Sequence, residues 1–105
     1  MDQSIKEEGK TIAIIAYITI IGLIIAFIMN SSKNNEFAKF HIGQSLRIAI
    51  LGIVLNIVTR LLPDSLSIIG TIVSLGILVL WVLGLINAIN LKAEPLPVIG
   101  TIGEK

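Results

Sequence analysis

Residues 66–91, LSIIGTIVSLGILVLWVLGLINAINL, form a run of twenty-six residues without a charged side chain. At a rise of ~1.5 Å per residue, a helix of this length exceeds the ~30 Å hydrocarbon core of a bilayer. The run does not alternate in segments of about ten residues, as a strand of a membrane barrel would. It therefore predicts a transmembrane helix.

Two more apolar segments precede this run. Residues 11–29 carry no charge, and residues 40–62 are apolar except for a polar group near their start and Arg60. The polar loop NSSKNNEFAK (30–39) separates these two segments, and Pro63 cannot continue a helix into the third. We predict helices over 11–29, 40–62 and 66–91, an exposed leader over 1–10 and a tail over 92–105.

Composition places the whole chain in a membrane. Apolar residues make up 54% of the 105 residues, charged residues only 14%, and the mean hydropathy is +0.94. Since lipid cannot satisfy open backbone groups, we predict an all-α fold, a single integral membrane domain of three transmembrane helices. The first segment exceeds the ~7–15 apolar residues of a signal peptide and lacks a small-residue cleavage site, so we expect it to be retained.

Charge and residue content also exclude several functions. The eight basic residues are scattered singly against seven acidic ones, so we expect no nucleic-acid partner. The chain has no cysteine, one histidine and no serine in a G-x-S-x-G setting. We expect no enzyme, no catalytic residue, no cofactor and no metal site.

One face of the second predicted helix is polar or small along its length. It carries His41, Gln44, Ser45, Asn56 and Arg60. One interpretation is a packing face, because small and polar side chains let membrane helices approach and hydrogen-bond. The other is a water-accessible path through the membrane.

The ends of the helices suggest contacts with the bilayer surface. We predict that Phe37 and Phe40 lie in the interface, as aromatic rings prefer, and that Arg47 reaches the headgroups. His41 and Gln44 are expected to join the 30–39 loop and the helix end to a neighbouring helix. The segment EPLPVIG (94–100) cannot cross the membrane because of its two prolines, so we expect a short interfacial segment there.

Two motifs resemble those of a known family. F-A-K-F-H-I-G-Q-S-L (37–46) and K-A-E-P-L-P-V-I-G (92–100) resemble the start of a transmembrane helix and the ending in a family of small bacterial membrane proteins of unknown function. That family is distantly similar to Tic-twenty, a protein-import component of the chloroplast inner envelope. The resemblance covers about residues 10 to 105. Tic-twenty has four helices, so three predicted helices here leave a pore in doubt, and no catalytic residue carries over.

Two classes of function remain. The first is a structural or accessory subunit that packs on a larger membrane complex or on itself. The second is a minimal channel, transporter or translocation component using the polar face of the second helix. In either case we predict a multi-pass protein of the bacterial cytoplasmic membrane, with the bilayer and a membrane protein as partners. With three spans, the positive-inside rule places the 30–39 loop and the C-terminus in the cytoplasm and the N-terminus outside.

Overall fold

The computed structural model describes residues 1–102, which form four α-helices and one short 3-10 helix, with no strand among them. The helices are α1 (Gln3–Ile15), α2 (Ile20–Lys33), α3 (Glu36–Arg60) and α4 (Ser67–Ile89). The 3-10 helix Asp64–Leu66 joins α3 to α4 after Pro63. The all-α prediction is confirmed, but the predicted count of three helices is not.

The predicted single helix over residues 11–29 is wrong, because the helical structure is interrupted at residues 16–19. Thr19 is extended, and its Oγ1 accepts a hydrogen bond from the Gly22 N–H at 3.1 Å. This is an N-cap, so a new helix starts at Ile20. The predicted leader, residues 1–10, instead forms most of α1.

The predicted ten-residue loop over 30–39 is also too long. Only Asn34 and Asn35 separate α2 from α3. Asn34 adopts the left-handed conformation with φ 50°, which asparagine tolerates better than most residues. The side chain of Asn35 caps α3 by accepting from the Ala38 N–H at 3.0 Å. The second predicted helix therefore starts at Glu36, four residues early.

α1 and α2 form a helical hairpin against the first half of α3. Asn35 Nδ2 donates to the Ile5 carbonyl at 2.9 Å, which fixes the start of α1 beside the start of α3. Asn30 near the end of α2 exchanges two hydrogen bonds with the Asn35 backbone, at 3.1 and 2.9 Å. Both outer ends of the hairpin therefore lie near Asn35. Its tip, residues 16–19, lies beside Ser45, which donates to the Ala16 carbonyl.

α3 and α4 form a second, longer antiparallel hairpin with two unlike halves. The proximal half, residues 36–49 and 81–89, packs against α1, α2 and the tail and contains most of the buried residues of the two helices. The distal half, residues 50–62 and 67–80, contains no buried residue. The N-terminal hairpin is thus about half as long as the α3–α4 hairpin.

The outer faces of α3 and α4 are apolar and open. Both helices are long and apolar enough to cross a membrane, yet only 28% of the most apolar window of α3 and 6% of that of α4 is buried. A helix that is apolar on all sides requires either a protein core or lipid around it. The structure thus gives two long candidate spans and, in α2, a shorter apolar helix, instead of the three full spans that we predicted.

The tail after α4 folds back onto the proximal half. Leu96 and Ile99 are 4% and 3% exposed and pack in a cluster with Phe37 of α3 and Ala88 of α4, whereas Val98 is 92% exposed. Through residue 102 the tail contains no helix, and its place in the membrane interface stays a prediction. It lies at the end of the bundle, where the side chains of Leu96 and Ile99 are buried.

Candidate functional site

His41 lies at the centre of a buried polar cluster that consists of Tyr17, His41, Gln44 and Ser45. Its Nε2 lies 2.8 Å from the Lys92 carbonyl oxygen, which can only accept, so Nε2 donates. A neutral ring then leaves Nδ1 as an acceptor for the Tyr17 hydroxyl at 2.7 Å. The geometry therefore selects the Nε2–H tautomer. His41 connects the hairpin tip, α3 and the chain segment that follows α4.

Aromatic rings surround the His41 imidazole. Tyr17, Phe37 and Phe40 meet it edge-on with ring centroids 5.5, 4.7 and 5.1 Å away. Phe37 is completely buried, so its predicted role as an interface anchor is wrong. Phe40 is half-buried, and its place in the interface stays a prediction. The early start of α3 explains the difference, because it turns Phe37 toward the bundle.

Gln44 holds the tail by its side-chain amide. Oε1 accepts from the Leu96 N–H at 2.9 Å, and Nε2 donates to the Gly100 carbonyl at 2.9 Å. Since one partner can only donate and the other only accept, the amide orientation is fixed. Gln44 is 1% exposed, so these bonds satisfy a buried amide and two tail backbone groups together.

Ser45 and Arg47 complete the contacts around the cluster. Ser45 donates to the Ala16 carbonyl, a group that the break between α1 and α2 leaves without a helical partner. Arg47 Nε donates to the Ile102 carbonyl at 2.7 Å. This bond directs Arg47 toward the tail, and its predicted contact with the headgroups stays a prediction.

The predicted role of His41 and Gln44 in joining the 30–39 loop is wrong. That junction is held by Asn30 and Asn35, while His41 and Gln44 hold the hairpin tip and the tail. The bond of Tyr17 to His41 and that of Asn35 to Ile5 were not predicted from the sequence. Asn35 directly before an acidic residue is a usable N-cap signal, but no local signal pairs Tyr17 with a histidine twenty-four residues away.

Asn56 and Arg60 do not join the cluster. Both are exposed on the distal half of α3, and Asn56 lies three turns beyond Ser45, about 16 Å along the helix axis. The predicted polar face is therefore divided into a closed proximal part and an open distal part. Within residues 1–102, no three histidine, cysteine or acidic side chains come together as metal ligands would.

An apolar notch opens where the short hairpin ends. Its volume is about 630 Å³, and it lies between the tip of the α1–α2 hairpin and the distal half of α3 and α4. Apart from Tyr17, Thr19, Asn56 and Trp81, the residues that line it are aliphatic or glycine. Trp81 packs edge-on against Tyr17 with ring centroids 6.1 Å apart, which fixes the floor of the notch.

The comparisons with known proteins agree with a membrane location. The chain is 31% identical over 77 residues to a UPF0132 membrane protein of Methanocaldococcus jannaschii, a match that covers 70% of this chain and 52% of the relative. It thus spans about half the length of that curated relative. No family model and no solved structure matches. Together with the open apolar faces of α3 and α4, this similarity identifies a small membrane protein with two or three apolar helices.

Proposed function

We propose that the protein is a structural or accessory subunit of a membrane assembly, and that the distal half of α3–α4 is its docking surface. The partner is a helix of a larger complex or of a second copy. The proposal rests on the environment of the Asn56 side chain. This side chain is exposed and has no hydrogen-bond partner within residues 1–102, on a helix apolar enough to cross a bilayer.

An unpartnered amide is unfavourable at this position. Leaving such a group in an apolar environment without a hydrogen bond costs about 1–3 kcal/mol by the protein mutational scale. A polar side chain on a partner helix removes that cost, and interhelical hydrogen bonds of this kind are common between membrane helices. Because an amide has both donors and acceptors, a second Asn56 satisfies it as well as a different residue does.

The notch beside Asn56 provides the shape that a partner needs. Ile53 on α3 and Leu78 on α4 line it with exposed side chains, and Gly52 opens the α3 backbone between them. Small residues allow close approach of helices, which supplies most of the packing energy in lipid. The 630 Å³ of apolar space and the adjacent amide together fit an inserted helix face.

The alternative, a minimal channel or transporter, has less support. His41, Gln44 and Ser45 are committed to hydrogen bonds with Tyr17, Ala16 and the tail, so they line no open path. Asn56 and Arg60 are exposed on the distal half of α3, and two helices are too few to enclose a channel. The relation to Tic-twenty, the bacterial cytoplasmic membrane and the absence of enzymatic activity remain predictions from the sequence.

Site-specific photo-crosslinking tests the proposal. A photoreactive phenylalanine analogue at Ile53 lies in the notch, and the same analogue at Ile25 lies on the exposed outer face of α2 as the matched control. In native membranes we expect a discrete protein adduct from position 53 and not from 25. The adduct should weaken several-fold when Asn56 is replaced by leucine, which keeps the size and removes the hydrogen bond.

Two results would contradict the docking proposal. One is the absence of any protein adduct from position 53, with lipid adducts from both positions. The other is an adduct of equal yield in the Asn56→Leu variant, which would show that the amide does not select the partner. The mass of the adduct distinguishes a second copy from a different protein.

A further inference from the structure

The α1–α2 hairpin is too short to cross a bilayer. α1 contains 13 residues and α2 contains 14. At ~1.5 Å per residue each helix is about 20 Å long, against a hydrocarbon core of ~30 Å. The hydrogen bonds of Asn35 to Ile5 and to Asn30 show that the two outer ends of the hairpin lie together. The α1–α2 segment therefore reverses direction at its tip and returns to the end of the molecule at which it starts.

Side chains satisfy part of the polar backbone at the tip of the hairpin. Non-helical backbone is tolerated at membrane depth only where protein satisfies its polar groups. Ser45 donates to the Ala16 carbonyl, and Thr19 accepts from the Gly22 N–H. The hydroxyl of Tyr17 is bound by His41. The tip lies beside Ser45, which is nine residues, or about 14 Å, from the start of α3.

The basic residues divide unequally between the two ends of the molecule. Five lysines lie on the elements that start or finish at the proximal end: Lys6, Lys10, Lys33, Lys39 and Lys92. Of the other basic residues within 1–102, Arg47 lies near the middle of α3, and Arg60 lies at the opposite end, near the turn between α3 and α4. If residues 11–29 crossed the membrane, Lys6 and Lys10 would lie on the same side of the membrane as Arg60. The hairpin moves them to the side of the other lysines.

We infer that the α1–α2 hairpin is a re-entrant element, which enters one leaflet and leaves it on the same side, so that only α3 and α4 cross the membrane. The partner of its outer face is the acyl-chain region of that leaflet. Ile21, Ile24, Phe27 and Ile28 of α2 provide this face, and all four are exposed. The N-terminus, the α2–α3 junction and the tail then share one side, which the positive-inside rule makes the cytoplasm.

Cysteine labelling tests this topology directly, because the chain has no cysteine of its own. Single variants Ser4→Cys, Ser32→Cys and Ser65→Cys place a thiol in the first turn of α1, near the end of α2 and between α3 and α4, all at exposed positions. Each is treated with a membrane-impermeant maleimide, in intact bacterial cells and in inside-out vesicles. Labelling after detergent solubilisation gives the maximum for each variant.

The re-entrant hairpin predicts that Ser4→Cys and Ser32→Cys react at least tenfold more in inside-out vesicles than in intact cells, and that Ser65→Cys does the reverse. Labelling of positions 4 and 32 from opposite sides would overturn the inference, because the first segment would then cross. Labelling of all three from one side would also overturn it. The reversed pattern at all three positions would overturn the cytoplasmic assignment.

Two further variants protect the experiment against misfolding. Gln3→Cys and Ser31→Cys lie beside the first two positions and are also exposed. Agreement within each neighbouring pair, with a detergent-melting temperature equal to the parent's, shows that the label reports the native topology. The result does not depend on the docking proposal, since labelling requires no partner.

Discussion

Among single residues, Gln44 connects the most distant parts of the chain. Its amide bonds to Leu96 and Gly100, more than fifty residues later, and it does so in a buried setting. His41 and Arg47 add bonds from the same helix to Lys92 and Ile102. Three side chains of α3 therefore fix a tail that, through residue 102, has no helix or strand of its own. Of these three, Gln44 alone bonds a donor and an acceptor of the tail.

Gln44→Ala is expected to loosen the tail. The substitution leaves the Leu96 N–H and the Gly100 carbonyl without partners in a buried place, which costs about 1–3 kcal/mol of stability. We expect a lower detergent-melting temperature and faster tryptic cleavage after Lys92, which is exposed. Leu46→Ala serves as the control, since Leu46 is on the same helix but 48% exposed. Equal cleavage rates in the two variants would contradict the role of Gln44.

Between elements, the hairpin tip approaches α4 closely. A Cβ atom built on Gly84 would overlap the ring of Tyr17, so the absence of a side chain at Gly84 leaves room for the ring. The tip also requires Thr19 as a cap and Ser45 as a donor. A tyrosine ring, a glycine on another helix and a hydroxyl on a third thus stabilise the break together.

Gly84→Ala is expected to destabilise the packing of the hairpin tip against α4. The added methyl group must displace the Tyr17 ring, and overpacking of this kind costs about 1–3 kcal/mol. Gly76→Ala is the matched control on α4, because a Cβ there meets nothing within 4 Å. Alanine at that exposed helical position should be neutral or favourable by up to about 1 kcal/mol. Thermal melting in detergent measures both, and a Gly84 variant as stable as the Gly76 variant would show that the tip is not packed as described.

Over the whole molecule, packing is concentrated in the proximal half. The two clusters of buried residues both lie there, formed by α1, α2, the tail and the adjoining parts of α3 and α4. The distal half exposes one large aliphatic side chain after another. The stability of the isolated protein should therefore depend on the proximal half, and the distal half should respond to what surrounds it.

Paired truncations test this gradient. Ile48→Ala removes a fully buried side chain of the proximal half and should cost about 2–5 kcal/mol. Ile72→Ala removes a side chain that is 62% exposed in the distal half and should change stability by less than about 0.5 kcal/mol. Chemical unfolding in detergent compares the two variants. A large loss for Ile72→Ala in the isolated protein would argue against an unpartnered distal half.

The sequence by itself determined the membrane class, the all-helical fold and the positions of α3 and α4 within a few residues. These follow from composition and from apolar runs, which are local properties of the chain. It also placed His41, Gln44 and Ser45 on one helix face. The tertiary structure alone decided the break at residues 16–19, the seat of the tail and the burial of Phe37. Each depends on contacts between residues far apart in sequence, such as Tyr17 with His41 and Gln44 with Leu96, and helical periodicity contains no information about such pairs.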